Sequence, residues 1–172
     1  MERLTERNFG LLIAFVLPGL VALWGVSFFS PTVAAWLCVT PPEAPTIAGF
    51  LFVTLASVAA GLIVSAVRWA VIDHLHHATG IVPPPWDFGR LDKRLPIFLA
   101  IVENHYRFYQ FYAGMFVATA FTYRLHLLAE GRSLLAHPGE LLAFLLLEAI
   151  LFAASRDALA KYYARTGRLL GH

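Results

Sequence analysis

One cysteine, Cys38, stands in a chain of 172 residues. A single thiol excludes an intramolecular disulfide, a CxxC redox pair and a zinc–thiolate cage. Charge is scarce as well, at 14% of residues, where an average soluble domain carries about 25%. The net charge of +2 comes with no detached basic patch, so nucleic acid is not an expected partner. Also absent are a GxxxxGK[ST] phosphate loop, an HExxH zinc helix, a GxSxG elbow and an HxxxxD acyl-transfer box, and with them the chemistries those spacings serve. There is no internal repeat and no low-complexity tract.

Apolar side chains are abundant. At 59% hydrophobic, the chain holds more apolar material than one soluble core of this size hides. It falls into four segments, at about 9–29, 46–71, 96–128 and 139–163, each near or above the roughly 20 residues that a bilayer core requires. If all four cross, Arg3, Arg7, Arg68, Arg90, Lys93, Arg94, Arg107, Arg156, Lys161, Arg165 and Arg168 share one face. Of the 13 Lys and Arg residues, only Arg124 and Arg132 fall on the other. Basic residues in short loops resist translocation, so the crowded face is expected to be cytoplasmic. The predicted fold is therefore an all-α four-helix transmembrane bundle, one integral membrane domain over 1–172 with both termini cytoplasmic. Its expected location is a bacterial inner membrane.

Each segment has its own signature. The first is longer than the ~7–15 apolar residues of a signal peptide and ends in Phe28-Phe29-Ser30-Pro31, so an uncleaved helix is expected. Pro18 leaves the carbonyl of Ala14 without its usual amide and predicts a kink. The second has small residues at helical spacing (Ser57, Gly61, Ser65; Ala56, Ala60) that allow close helix approach. A cytoplasmic loop follows at 73–95, whose Pro83-Pro84-Pro85, Trp86 and Phe88 are expected to lie along lipid headgroups. The third helix exceeds the bilayer core in length, so its first turns stand in or beyond the interface. The fourth carries Glu148 in its apolar middle.

Candidate chemistry gathers at three cytoplasmic helix ends. Asp73, His74, His77 and Glu103 are the candidate ligands for a divalent metal, because imidazoles and carboxylates three or four residues apart share a helix face. No cofactor is otherwise predicted. Glu103, His105 and Asp157 are the candidate acid–base groups for catalysis. Glu103 with Arg107 and Asp157 with Lys161 form i,i+4 pairs whose plain reading is structural. Tyr109, Tyr112 and Arg107 are candidates for binding a lipid headgroup or another flat amphiphile, in a run whose plain reading is interfacial anchoring. Glu148 is expected to be neutral or paired, hydrogen-bonded to a hydroxyl or to the carbonyl that Pro18 frees.

The leading expectation is a multi-pass binding or accessory protein, partnered by the lipid bilayer and by a membrane or cytoplasmic protein or a second copy, through its cytoplasmic face. The alternatives are a membrane enzyme using the His/Glu/Asp cluster on a lipid-like substrate, and a small channel or proton-linked carrier using Glu148.

Overall fold

The computed structural model describes residues 10–37, 47–91 and 94–170. Arg3, Arg7, Cys38, Lys93, the outer-loop prolines 41, 42 and 45, and His172 lie outside them. The described residues form five longer helices, one 3-10 turn at Phe88–Arg90 and no strand; the helices are α1 (Leu12–Ser27), α2 (Pro31–Trp36), α3 (Ile47–Ala78), α4 (95–129) and α5 (Pro138–Leu170). Helix α1 packs on both α3 and α4, while α5 packs chiefly on α4.

Small residues set the closest approach. A Cβ on Gly19 would run into the carbonyl oxygen of Ser57, and one on Gly61 into that of Phe15. The Ser57/Gly61 edge of α3 is thus a backbone contact with α1. On the other side of α1, Gly25 lies against Thr122, whose hydroxyl donates to the Val21 carbonyl at 2.7 Å. Larger groups separate α4 from α5, with the rings of Tyr123 and Phe144 stacked at 4.1 Å.

Three helices contain one wide π turn each: Leu12–Val16 in α1, Trp69–Asp73 in α3 and Val102–Tyr106 in α4. In the first, the amide of Leu17 donates to the carbonyl of Leu12, five residues back, directly before Pro18. Such turns shift the phase of every later side chain.

Two of the four expected spans, α3 and α5, are long and apolar enough to cross a membrane. The described part of α1 is shorter. Helix α4 is the central element, and its polar groups, Gln110 and Thr122 among them, are buried between helices. That interior role explains its lower hydropathy. The boundaries also move outward. Helix α3 continues to Ala78, so the expected loop at 73–95 begins at Thr79, and Gly80 at φ +94° makes the turn. Helix α5 continues past 163 to Leu170.

The proline-rich segment packs against the end of α5. A Cβ on Gly167 would sit 3.1 Å from Pro84, and the Trp86 ring meets those of Tyr162 and Tyr163 edge-on at 6.0 Å. The Asp87 amide donates to the Leu170 carbonyl at 3.1 Å, and Arg94 donates to Leu169. Helix ends leave carbonyls without intrahelical partners, and here the loop supplies donors to two of them.

Candidate functional site

The polar interior begins at Arg68, the first charge after a long apolar run. Arg68 and Asp73 are five residues apart, which in a regular α-helix puts them about 140° apart around the axis. The π turn between them removes that separation. The Arg68 guanidinium donates to Asp73 Oδ1 at 2.7 Å, and the Tyr109 hydroxyl donates to the same oxygen. Arg68 also lies over the Tyr109 ring, 5.1 Å from its centroid. With Arg68 only 4% and Tyr109 0% exposed, this is an ion pair inside protein.

One turn further, the same shifted face brings His76 inward. Its Nε2 is 3.0 Å from Ser155 Oγ on α5, and both residues are fully buried. Ser155 has one hydroxyl hydrogen, and Phe152's carbonyl takes it at 2.8 Å. His76 Nε2–H is therefore the donor and Ser155 the acceptor. A nucleophilic serine needs the opposite arrangement, with the imidazole accepting. His76 Nδ1 has no partner to orient it. Beside this pair, His77 meets the Tyr163 hydroxyl at 3.2 Å, and Arg156 donates to the Thr79 carbonyl at 2.8 Å.

The expected metal ligands are dispersed. Asp73 is held by Arg68 and Tyr109, His74 Nδ1 turns back to the Trp69 carbonyl at 3.1 Å, and His77 faces Tyr163. Glu103 sits beside Arg107 at 3.8 Å and against Gly10. Among the described residues no three His, Cys, Asp or Glu gather around a point a metal could occupy. The spacing argument assumed a regular helix, and the π turn broke that assumption at Asp73.

The catalytic candidates are likewise separated by their partners. Asp157 is exposed and bonded to Lys161 at 2.6 Å. His105 is half-buried near Arg165 and Lys161. Burial first, then those two cations, hold its imidazole below the ordinary histidine range, against a smaller pull from Asp157. Among the candidate ligand-binding residues, Tyr109 is enclosed with its hydroxyl on Asp73, so it is not offered to an amphiphile. Tyr112 is half-buried beside Phe108 and Phe111, and Arg107 donates to Gln110 at 2.9 Å.

Glu148 lies apart from this cluster, 7% exposed. Its Oε1 is 2.6 Å from Thr119 Oγ1, which is also 2.6 Å from the Met115 carbonyl. Its Oε2 is buried without a partner. The carbonyl of Ala14, expected as an acceptor because of Pro18, is not the group that meets it.

Arg68, His76 and Ser155 are site residues outside the metal, catalytic and binding sets expected from the sequence. One signal was available, the i+4 series Val64, Arg68, Ile72, His76, all buried. At 3.6 residues per turn such a series drifts off a face, and holding it requires a wide turn. Compared with known proteins, the chain matches no family model, no curated protein and no solved structure.

Proposed function

We propose that this is a multi-pass membrane accessory protein whose cytoplasmic end is a rigid docking face for a protein partner or a second copy. One observation carries the reading: the outward faces of the two longest apolar helices are themselves apolar, while polar groups such as Arg68, Gln110 and Glu148 are buried between helices. Side chains that face away from the helices include Phe50, Leu55, Leu62 and Ile63 on α3, and Leu142, Leu146 and Ile150 on α5. Only 17% of the most apolar stretch of either helix is buried, whereas the core helix of a soluble protein is mostly buried. Lipid is the natural cover for such a surface. In this reading the spans are α1, the apolar part of α3, α4 from Arg107 onward, and α5 as far as about Ser155. The basic face is cytoplasmic.

At that face the polar groups are directed at one another. Arg68, Asp73 and Tyr109, His76 and Ser155, and Arg156 and Thr79 fasten α3 to α4 and α5. The loop fixed to the end of α5 displays Val82 and Phe88 outward, 64% and 57% exposed. A rigid loop with apolar tips, flanked by Arg94 and Arg168, suits binding more than turnover, because its shape needs no ordering at the moment of contact.

The membrane part is tested by alkaline carbonate extraction and by reporter fusions. A cytoplasm-active reporter after His172 is expected to be active, and one near Pro42 inactive; release by carbonate or the reverse reporter pattern would overturn it. Docking is tested by the oligomeric state in nanodiscs and by partner crosslinking in cells. Val82→Asp with Phe88→Asp is expected to abolish either association while the protein stays folded. Unchanged association would exclude this loop.

A further inference from the structure

We propose that Glu148 is a proton-binding site inside the bundle, a carboxylic acid held neutral and reached from the His126 end along a groove between α1 and α4. The inference goes beyond the docking function and stands on separate observations. The first is a count of hydrogens. Thr119 Oγ1 stands 2.6 Å from two oxygens, the Met115 carbonyl and Glu148 Oε1. It has one hydrogen to give. Helix threonines habitually give it to the carbonyl four residues back. Glu148 must then supply the hydrogen of the second contact, and only a protonated carboxyl has one.

The second observation is the surroundings. Among the described residues no cation forms an ion pair with Glu148, and Oε2 has no partner. An ionised carboxylate would leave that oxygen buried with nothing to solvate it. On α4 the ionisable neighbours are Tyr123, one turn from Thr119, and His126 and Tyr112, two turns from it in opposite directions, Tyr123 and His126 lying along the groove. The wall that α1 contributes has none. On α5 itself Glu140 and Arg156 stand two turns away on either side, Glu140 facing Arg132 and Arg156 facing Thr79.

The third is access. Val21 and Trp24 from α1, with Phe28 directly after it, and Thr119, Thr122, Tyr123 and His126 from α4 line an open groove of about 280 Å³. Phe28 and His126 lie at its outer end with ring centres 5.4 Å apart. Thr119 belongs both to the groove and to the Glu148 contact, so the inner end of the groove stops at the acid's own partner. The lining from His126 to Thr119 is almost entirely apolar, because the Thr122 hydroxyl is turned onto the Val21 carbonyl.

The test is modification of the full chain in lipid nanodiscs by the hydrophobic reagent dicyclohexylcarbodiimide. A protonated carboxyl passes its proton to a carbodiimide nitrogen while its oxygen bonds to the central carbon. In a dry site the acyl group then migrates from that oxygen to the nitrogen. The stable N-acylurea has gained the whole reagent and lost nothing. The expected result is one adduct, at Glu148, absent in Glu148→Gln. A water-soluble carbodiimide with an amine should instead label Glu130, Glu140 and Asp157. Trp24→Ala, at an exposed position, is expected to speed labelling several-fold, and Val21→Trp to slow it by a similar factor.

Infrared difference spectra between wild type and Glu148→Gln supply a readout independent of access. The wild type should show the carbonyl stretch of a protonated carboxyl, and its absence would overturn the proposal. Labelling only after unfolding, or at one rate in wild type, Trp24→Ala and Val21→Trp, would overturn the groove route. If carbonate released the protein but the adduct and the band were both present, the membrane reading would fail and the proton site would stand.

Discussion

Asp73 and Glu148 are both carboxyls turned into the bundle, and they are accommodated in opposite ways. Asp73 receives the Arg68 guanidinium and the Tyr109 hydroxyl on one oxygen. Glu148 has one hydroxyl beside it and a second oxygen without a partner. The first environment favours the charged form through an opposite charge and donated hydrogen bonds; the second offers a charge almost nothing. Helix architecture makes the difference. The wide turn at Trp69–Asp73 carries the acid and its arginine on one strand of chain, whereas Glu148 must find its partner on another helix. The result is a fixed ion pair at one end of the molecule and a neutral acid in its apolar middle.

Removing one member of a buried pair should give the largest effect. Asp73→Ala leaves Arg68 enclosed with no anion, and a loss of about 3–5 kcal/mol is expected. The double replacement Arg68→Met with Asp73→Leu should lose far less, because no charge is left stranded. Denaturant titration in micelles, followed by circular dichroism, measures both. If Asp73→Ala cost less than the double change, the pair would not be the buried ionic element described here.

Ser155→Ala should come next. It strips the acceptor from His76 Nε2–H and leaves a donor buried in an apolar contact, at a cost of about 1–3 kcal/mol. If His76 were instead the acceptor, Ser155→Ala would leave its ring nitrogen free to take the other tautomer. His76→Asn, which keeps a donor but loses the tilted ring contact with Phe152 at 5.0 Å, separates the two contributions. A Ser155→Ala protein as stable as wild type would contradict the donor assignment.

Glu148 should respond more mildly, as suits a neutral group. Interhelical hydrogen bonds in lipid are worth about 0.6 kcal/mol on average and up to about 1.7, and Glu148→Leu is expected to fall in that range. Glu148→Gln keeps a donor for Thr119 and should stay close to wild type in the same titration. A large penalty for Gln would mean that the native carboxyl is charged, and the comparison with Asp73 would collapse.

Much of the helical layout was legible because apolar run length is a one-dimensional property. The long α3 and α5 stand where the hydropathy puts them, and the small-residue edge at Ser57 and Gly61 is the close contact with α1. The number of spans was less legible. Tyrosines, Gln110 and threonines lower the hydropathy of α4, and only its central position shows that Tyr109, Gln110 and Thr122 are interior. The site was least legible. Spacing of three and four presumes 3.6 residues per turn, and one extra residue in the turn at Trp69–Asp73 moved Asp73 to Arg68 and His76 to Ser155. No composition signal marks a π turn. The run Val64, Arg68, Ile72, His76 hints at one only when burial is already known.

The smallest effect belongs to an exposed pair that is closer together than the buried one. Lys161 reaches Asp157 at 2.6 Å, against 2.7 Å for Arg68 and Asp73. Distance alone would therefore rank the surface pair first. The side chains of Lys161 and Asp157 are 54% and 60% exposed, where those of Arg68 and Asp73 are 5% and 18%. Water solvates the exposed charges whether or not they touch, and holding two long side chains in one geometry costs entropy. Such i,i+4 pairs are worth about 0.3–0.5 kcal/mol. Asp157→Asn is expected to change stability by no more than that and to lose even this difference in high salt, where exposed charges are screened. The Arg68–Asp73 pair, shielded from ions, should keep its effect in the same salt series. If Asp157→Asn matched Asp73→Ala, or if both decayed together with salt, burial would not be what distinguishes the two ends of the bundle.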